Sequence, residues 1–292
     1  SNHRRSCQLL RFVGAGCRST NTMSVWRVFQ AFCLLCGLGG AEGAVLVTGA
    51  TGRTGSLVYK ALKAGGKLGP VRALVHNVEK ARQRLGCKAC DASEGIFVGD
   101  VTNASSLTPA FDGIDYLAIA TGVYGTEPKA EVKAVEWLGV ENQVRALLKS
   151  GAKGKRVVLI SSMGSTEPPE PKSNKVLFYK LNAEAFLASA GVGFSIVKPC
   201  GLTEDAGGDR ELMVGHDDSE SWFSEGFYMI PRADVAAVVV AALEAPPAGA
   251  MRFDLCAKLA GSGPPAPMDR LLQAALLPWQ RSGAAPVPVT VV

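Results

Sequence analysis

Residues 44–263 of this 292-residue chain predict an α/β fold: a doubly wound parallel sheet with helices on both faces and a small irregular C-terminal substrate region. Three observations predict it. Short apolar runs alternate with helical patterns along the chain. The runs are apolar throughout rather than alternating in and out, as strands covered on both faces must be. A glycine-rich turn joins the first run to the first helix.

Taken in order, AVLVTG (44–49) is the first strand, and a helix follows from Thr54 to Lys63. VRALVH (71–76) is the second strand, with the helical NVEKARQRLG behind it. GIFVGD (95–100) is the third, and a short helical segment covers 104–111. IDYLAIATG (114–122) is the fourth. In 130–151, Val132, Val135, Val140, Val144 and Leu147 form an apolar helical stripe that Gly151 ends. RVVLISS (156–162) is the fifth strand, 176–191 a helix, and FSIVKP (194–199) the sixth strand. The segment 199–232 is rich in Gly, Asp and Ser and too long for an idle connection, so it reads as a substrate or lid loop. RADVAAVVVAALEAP (232–246) is a helix closed by proline, and MRFDLCA (251–257) is a final strand. Residues 264–292 read as a tail carrying one short amphipathic helix near 268–277.

Charge and cysteines narrow the function. The net charge is +5. Residues 1–43 hold Arg4, Arg5, Arg11, Arg18 and Arg27 against Glu42, so the leader carries +4 and the body only +1. A near-neutral body without basic runs offers nothing to nucleic acid. The leader from Met23, MSVWRVFQAFCLLCGLGGAEG, has one arginine, an apolar stretch and then small residues, the layout of a targeting segment for the secretory route or a plastid. Without such targeting the chain would be cytoplasmic. The stretch is too short for a confident transmembrane helix, and no segment of the body could span a membrane. Eight cysteines divide evenly between leader and body. Cys87 and Cys90 sit in a loop rather than at a helix N-terminus, and His3, His76 and His216 are scattered, so thiols without a metal or redox role are expected.

The glycine turn carries the strongest functional signal. In TGATGRTG, Gly49, Gly52 and Gly55 are spaced G-x-x-G-x-x-G after a strand and at the start of a helix. Gly49 permits the turn, Gly52 lets backbone N–H groups reach a pyrophosphate, and Gly55 lets the helix pack closely on the strand. With Thr51, Arg53 and Thr54 between them, these residues form the phosphate end of a dinucleotide site at a helix N-terminus, the arrangement of a Rossmann fold. After the second strand an NAD site would place an acid for the ribose hydroxyl, but the first acid here is Glu79, in the following helix. Arg53 and Arg72 are cations available to a 2′-phosphate, and His76 can add a donor. NADP is therefore expected over NAD.

From Ala44 to about Gly263 the chain resembles the atypical short-chain dehydrogenase/reductases, most of all the plant and algal NAD(P)-binding branch related to the NmrA-like group. The resemblance is carried by VLVTGATGRTG, VGDVTNASSLTPAFDGIDYLAIATG, RVVLISSMGST, YKLNAEAFLASAGVGFSIVKPCGL, RELMVGHDD and PRADVAAVVVAAL. It implies that Asp100 and Val101 flank the adenine and that Ala120, Thr121 and Gly122 line the dinucleotide. It implies Ser161 and Ser162 beside the nicotinamide, Lys180 on its ribose, and Pro199, Cys200 and Gly201 over its ring. Strand ends are where open α/β sheets bind ligands, and Asp100, Thr121, Ser162 and Pro199 all fall there. Asp100 also suits a place beside a helix N-cap, the two serines suit plain turn roles, and Arg232 and Asp234 suit a helix cap.

The same resemblance limits the claim of catalysis. In the wider superfamily a tyrosine four residues before the lysine donates a proton to the substrate; here that position is Val176. Tyr179 projects about 100° away around the helix and cannot simply replace it. Glu184, one turn beyond Lys180, is placed for an ion pair with it. Tyr124, His216 and Tyr228 are the other proton donors to consider. The expected function is NADP-linked reduction of a small carbonyl or quinone-like substrate, with Lys180 and Ser162 as catalytic candidates. The competing reading is a non-catalytic NADP-binding sensor or scaffold.

Overall fold

The computed structural model describes residues 43–124, 126–167, 175–219, 229–245 and 250–282. Its centre is an eight-stranded sheet in the order β3-β2-β1-β4-β5-β6-β10-β8. The strands are β1 (Ala44–Thr48), β2 (Val71–Val75), β3 (Ile96–Val98), β4 (Ile114–Ile119), β5 (Arg156–Ile160), β6 (Gly193–Pro199), β8 (Leu212–Gly215) and β10 (Ala250–Ala257). All neighbours run parallel except the β10–β8 pair at one edge. The order reverses at β1, where β2 lies on one side and β4 on the other. That reversal opens a crevice at the carboxyl ends of these strands.

Alternate residues of β1 face opposite sides, so one strand feeds two cores. Val45 and Val47 join a cluster with Val58, Tyr59 and Leu62 of α1 (Arg53–Gly65) and Val235, Val238 and Val239 of α7 (Arg232–Glu244). Ala44 and Leu46 join the other, with Leu107, Phe111, Val140, Val144 and Leu187. Those last residues come from the 104–107 turn and three helices: α3 (Thr108–Phe111), α5 (Gly139–Leu148) and α6 (Val176–Ser189). Between α2 (Val78–Leu85) and β3 the chain makes one tight 3₁₀ turn at Ala92–Glu94.

Three differences from the sequence reading have physical causes. The helix expected over 130–151 is interrupted: α4 (Lys129–Lys133) runs into a π turn (Ala134–Leu138) before α5 begins. Such a turn inserts an extra residue and re-aims the side chains within it. The irregular 199–232 segment contains β7 (Gly201–Thr203), β8 and β9 (Met229–Pro231). Its β8 pairs antiparallel with β10, register Asp254↔Gly215, and so completes the main sheet rather than hanging over it. The segment read as a tail begins with α8 (Met268–Ala274), whose Leu271 and Leu272 are buried in the β1–α1–α7 cluster, so the packed body extends past the boundary expected at 263. A final helix, α9, covers Pro278–Ser282.

Candidate dinucleotide and active site

The turn between β1 and α1 is built by close backbone approach. Gly49 has φ +64°, and a Cβ there would lie 2.4 Å from the Ala120 carbonyl oxygen. A Cβ on Gly55 would lie 2.2 Å from the Gly49 oxygen, so this glycine sets how near the helix comes to the strand. Gly52 is the N-cap of α1; it makes no side-chain cap, and the first turn holds no acid. The leading N–H groups of α1 therefore open on the crevice without a side-chain acceptor, as an anion requires.

A cleft of about 730 Å³ extends from this turn across the strand ends. Its lining brings together Gly49, Thr51, Gly52, Arg53, Thr54, His76, Asp100, Val101, Ala120, Thr121, Gly122, Ser161, Ser162, Lys180, Pro199 and Cys200, all named from sequence. Gly55 lies behind the turn and Gly201 lies off the wall. Arg72 is a correction. Its guanidinium donates to the Asp112 carbonyl at 2.6 Å and packs over the Phe97 ring, on the far side from the cleft. Lys80, in the first turn of α2, lines the cleft instead.

Several side chains serve both the fold and the site. Asp100 accepts from the Thr102 N–H and hydroxyl, each at 2.8 Å, a turn role, while its other oxygen lies 4.0 Å from His76 Nε2. Ser161 is buried and donates to Glu184, whereas Ser162 donates to the Met163 carbonyl at 2.9 Å. Arg232, read as a helix cap, stands on the cleft wall; it and Arg53 both donate to Glu204 Oε1, at 2.8 and 3.1 Å. Burial, with Arg53 beside it, pushes the Arg232 guanidinium below its ordinary range. Asp234 instead accepts from the Gly208 N–H at 2.8 Å, and burial raises its carboxyl.

Lys180 has a different partner from the expected one. Its Nζ donates to Glu136 Oε2 at 2.8 Å, and Glu136 also accepts the Val123 N–H at 2.8 Å. Glu136 is 3% exposed and comes from the π turn, which aims it into the cleft. Glu184 faces away from Lys180 and pairs with Arg252 at 2.8 Å. Tyr179 stacks on Trp137, ring centroids 6.2 Å apart, so it is not turned to the substrate side. Tyr124 lines the cleft beneath Arg53, 5.7 Å from ring centre to guanidinium. His216 meets the Arg252 carbonyl at 3.2 Å, off the cleft, and Tyr228 lies outside the described residues.

A buried ionic cluster supports the β6–β10 side. Lys198, fully buried in β6, lies 2.9 Å from both Asp254 and Asp218. Asp254 is its register partner on β10. Burial raises the Asp254 carboxyl despite Lys198. For Asp218 burial also pushes upward, but the Thr166 hydroxyl, the Gly164 N–H and Lys198 together hold it below the usual carboxylate range. The one signal for this cluster in the sequence is a lysine inside an otherwise apolar strand.

The body cysteines are a further correction. Cys87 is bonded to Cys90, and Cys200 to Cys256. The thiol reading missed that Cys200 and Cys256, 56 residues apart in sequence, end adjacent parallel strands. Among the described residues no helix is long and apolar enough to cross a membrane.

Comparison with known proteins matches residues 49–246 to the NAD(P)H-binding family. An uncharacterized chloroplastic protein of Arabidopsis thaliana is 36% identical, covering 72% of this chain and 68% of its own length. Sanguinarine reductase of Eschscholzia californica is 34% identical over 72% of this chain and 87% of its own length. A Bacillus halodurans structure named as an NAD-dependent epimerase/dehydratase has the same fold at TM-score 0.63 and 20% identity, covering 80% of this chain and 99% of that one.

Proposed function

This chain belongs to the NAD(P)H-binding family, and from that premise we propose that it is an NADP-linked reductase of a small carbonyl or quinone-like substrate. The observation that carries the reading is the uncapped N-terminus of α1 opening on the same cleft that holds Lys180. When bound, the reduced nicotinamide supplies a hydride. The rest is the work of this chain's own residues. The α1 N–H groups hold the pyrophosphate, because a glycine at 52 leaves them bare and the helix end is partly positive. Glu136 fixes Lys180 so that Nζ presents its remaining N–H groups to a ribose hydroxyl. Ser162, free to turn from the Met163 carbonyl, donates to a substrate oxygen; Ser161 is committed to Glu184 and shapes the floor.

The reading of NADP over NAD is supported by the donors at the β2 end. His76 and Lys80 line the cleft there, with no carboxylate taken from β2 itself. Arg53 is held toward Glu204 and Arg232, so it serves the pyrophosphate rather than the 2′-phosphate. The name of the Eschscholzia relative supports reduction as the direction of the reaction, and the chloroplastic relative supports a plastid address for the leader.

The test is NADPH consumption over a panel of aldehydes, ketones and quinones by wild type and Lys180→Ala. Turnover lost in the variant supports the reductase. A second reading, an NADP-binding sensor without turnover, is favoured by Val176 in the tyrosine position and by both serine hydroxyls being engaged. Saturable NADPH binding with no consumption on any member of the panel would select it.

A further inference from the structure

The two halves of the Cys200–Cys256 bridge have unlike surroundings. Cys256 is fully buried in β10. Cys200 is partly exposed and lines the cleft next to Pro199. The Cys200 N–H donates to the Leu255 carbonyl at 2.9 Å, so backbone and sulfur together tie this part of the cleft wall to β10. The other bridge, Cys87–Cys90, lies before β3, with Cys90 buried in the α1 cluster and neither cysteine on the cleft.

Resting on the reading of the cleft as the dinucleotide site, we propose that Cys200–Cys256 is a thiol-exchange site, reached by a small dithiol through the cleft and shielded when NADP is bound. A thiolate must approach the sulfur it attacks, and of the two cysteines only Cys200 is partly exposed, Cys256 being fully buried. One thiolate of the dithiol attacks Cys200 Sγ, a mixed disulfide forms there, and the Cys200–Cys256 bond breaks. Cys256 leaves as a thiolate and takes a proton. The second thiol of the reagent then attacks the reagent's own bonded sulfur, closes the reagent into a cyclic disulfide and releases Cys200. Two electrons pass from dithiol to protein, and the two thiol protons end on the two cysteines. The buried Cys256 thiol then packs as a small apolar group. The Cys200 thiol is left facing the nicotinamide end of the cleft. Cofactor occupancy and thiol state are thereby coupled: the bridge opens only in molecules whose cleft is empty.

The experiment uses the full oxidised chain. Dithiothreitol is added for timed intervals, the mixture is quenched with an alkylating reagent, and each cysteine is followed by peptide mass spectrometry at increasing NADP⁺. Binding of NADP⁺ is measured separately by calorimetry. If opening passes through the empty fraction, its rate falls by one plus the ratio of ligand to Kd, about elevenfold at ten times Kd. The Kd obtained this way should match the calorimetric one, and Cys87–Cys90 should open at an unchanged rate. NADP⁺ that binds without slowing Cys200–Cys256 overturns the shielding and leaves the dinucleotide reading intact. Cysteines 200 and 256 alkylated before any reductant is added overturn the bridge itself. Absence of calorimetric binding removes the dinucleotide reading, and the shielding falls with it.

Discussion

On one side of the cleft, the wall at residues 49–54 is shaped mainly by the backbone of a glycine turn; on the other, it is made of Lys180, Ser161, Arg232 and Cys200, whose side chains are set by distant partners. The first wall is local. Gly49, Gly52 and Gly55 are within seven residues, and each is required by a contact that a Cβ would block or by a bare N–H. The second wall is assembled from long-range pairs: Lys180 with Glu136, Ser161 with Glu184 (itself held by Arg252), Arg232 with Glu204, Cys200 with Cys256. A wall made of backbone is defined by spacing in sequence, whereas a wall made of side chains is defined by topology.

The largest expected effect attacks the support of the second wall. Asp254→Ala leaves buried Lys198 with Asp218 alone and removes the acceptor of the Asp218 N–H, and losing one charged partner of a buried ammonium costs about 3 kcal/mol. Urea denaturation should show that loss, while a matching substitution at exposed Asp269 should show almost none. The pH dependence has a defined sign. The Asp218 carboxyl is held below its ordinary range, so its contribution is complete above that range and lost as pH falls through the lower folded-state value. Asp218→Asn should flatten this acid-side loss.

The next effect attacks the first wall. Gly52→Val crowds the pyrophosphate position, and a Cβ there already stands 3.0 Å from the Gly49 oxygen. Forfeiting two or three backbone hydrogen bonds to phosphate should raise the Kd for NADPH by about a hundredfold. Fluorescence titration measures it, and circular dichroism confirms that the variant is folded. Near-equal affinity would show that the backbone wall is not where the phosphates rest.

Smaller changes sharpen the contrast. Glu136→Gln keeps the shape of the π turn but removes the charge opposite Lys180, and should lower kcat about tenfold with KM for NADPH raised less. Glu136→Asp, retaining the charge, should recover part of the loss. The least effect is expected at the β2 end. Lys80→Ala should weaken NADPH about fivefold and NADH hardly at all, since a solvated phosphate contact adds about 1 kcal/mol. Equal losses for the two nucleotides would remove the NADP preference.

The same contrast explains what could be read from the residues. The positions of the first six strands along the chain and the glycine turn follow from local pattern, because buried parallel strands and a G-x-x-G-x-x-G turn leave their marks in consecutive residues. The place of β10 between β6 and β8 does not, since pairing of a late strand is a long-range choice. Arg72 was a fair candidate by position in β2, but its side chain leaves on the face that carries α3, where the Asp112 carbonyl takes it up. Glu136 left no trace because its orientation comes from a π turn, which shifts the helical face by one residue. Glu184, apparently set for Lys180 by its spacing of four, is drawn instead to Arg252 from β10. Helical spacing says which side chains are neighbours on one helix; it is silent on a stronger partner arriving from the sheet.

An isothermal titration of the purified chain with NADPH is the most direct test of a dinucleotide at the glycine turn. Saturable binding to a single site, lost in Gly52→Val and retained in Arg72→Ala, is the predicted result. Heat that never saturates in the wild-type chain, or a Gly52→Val protein that binds as tightly, would contradict it.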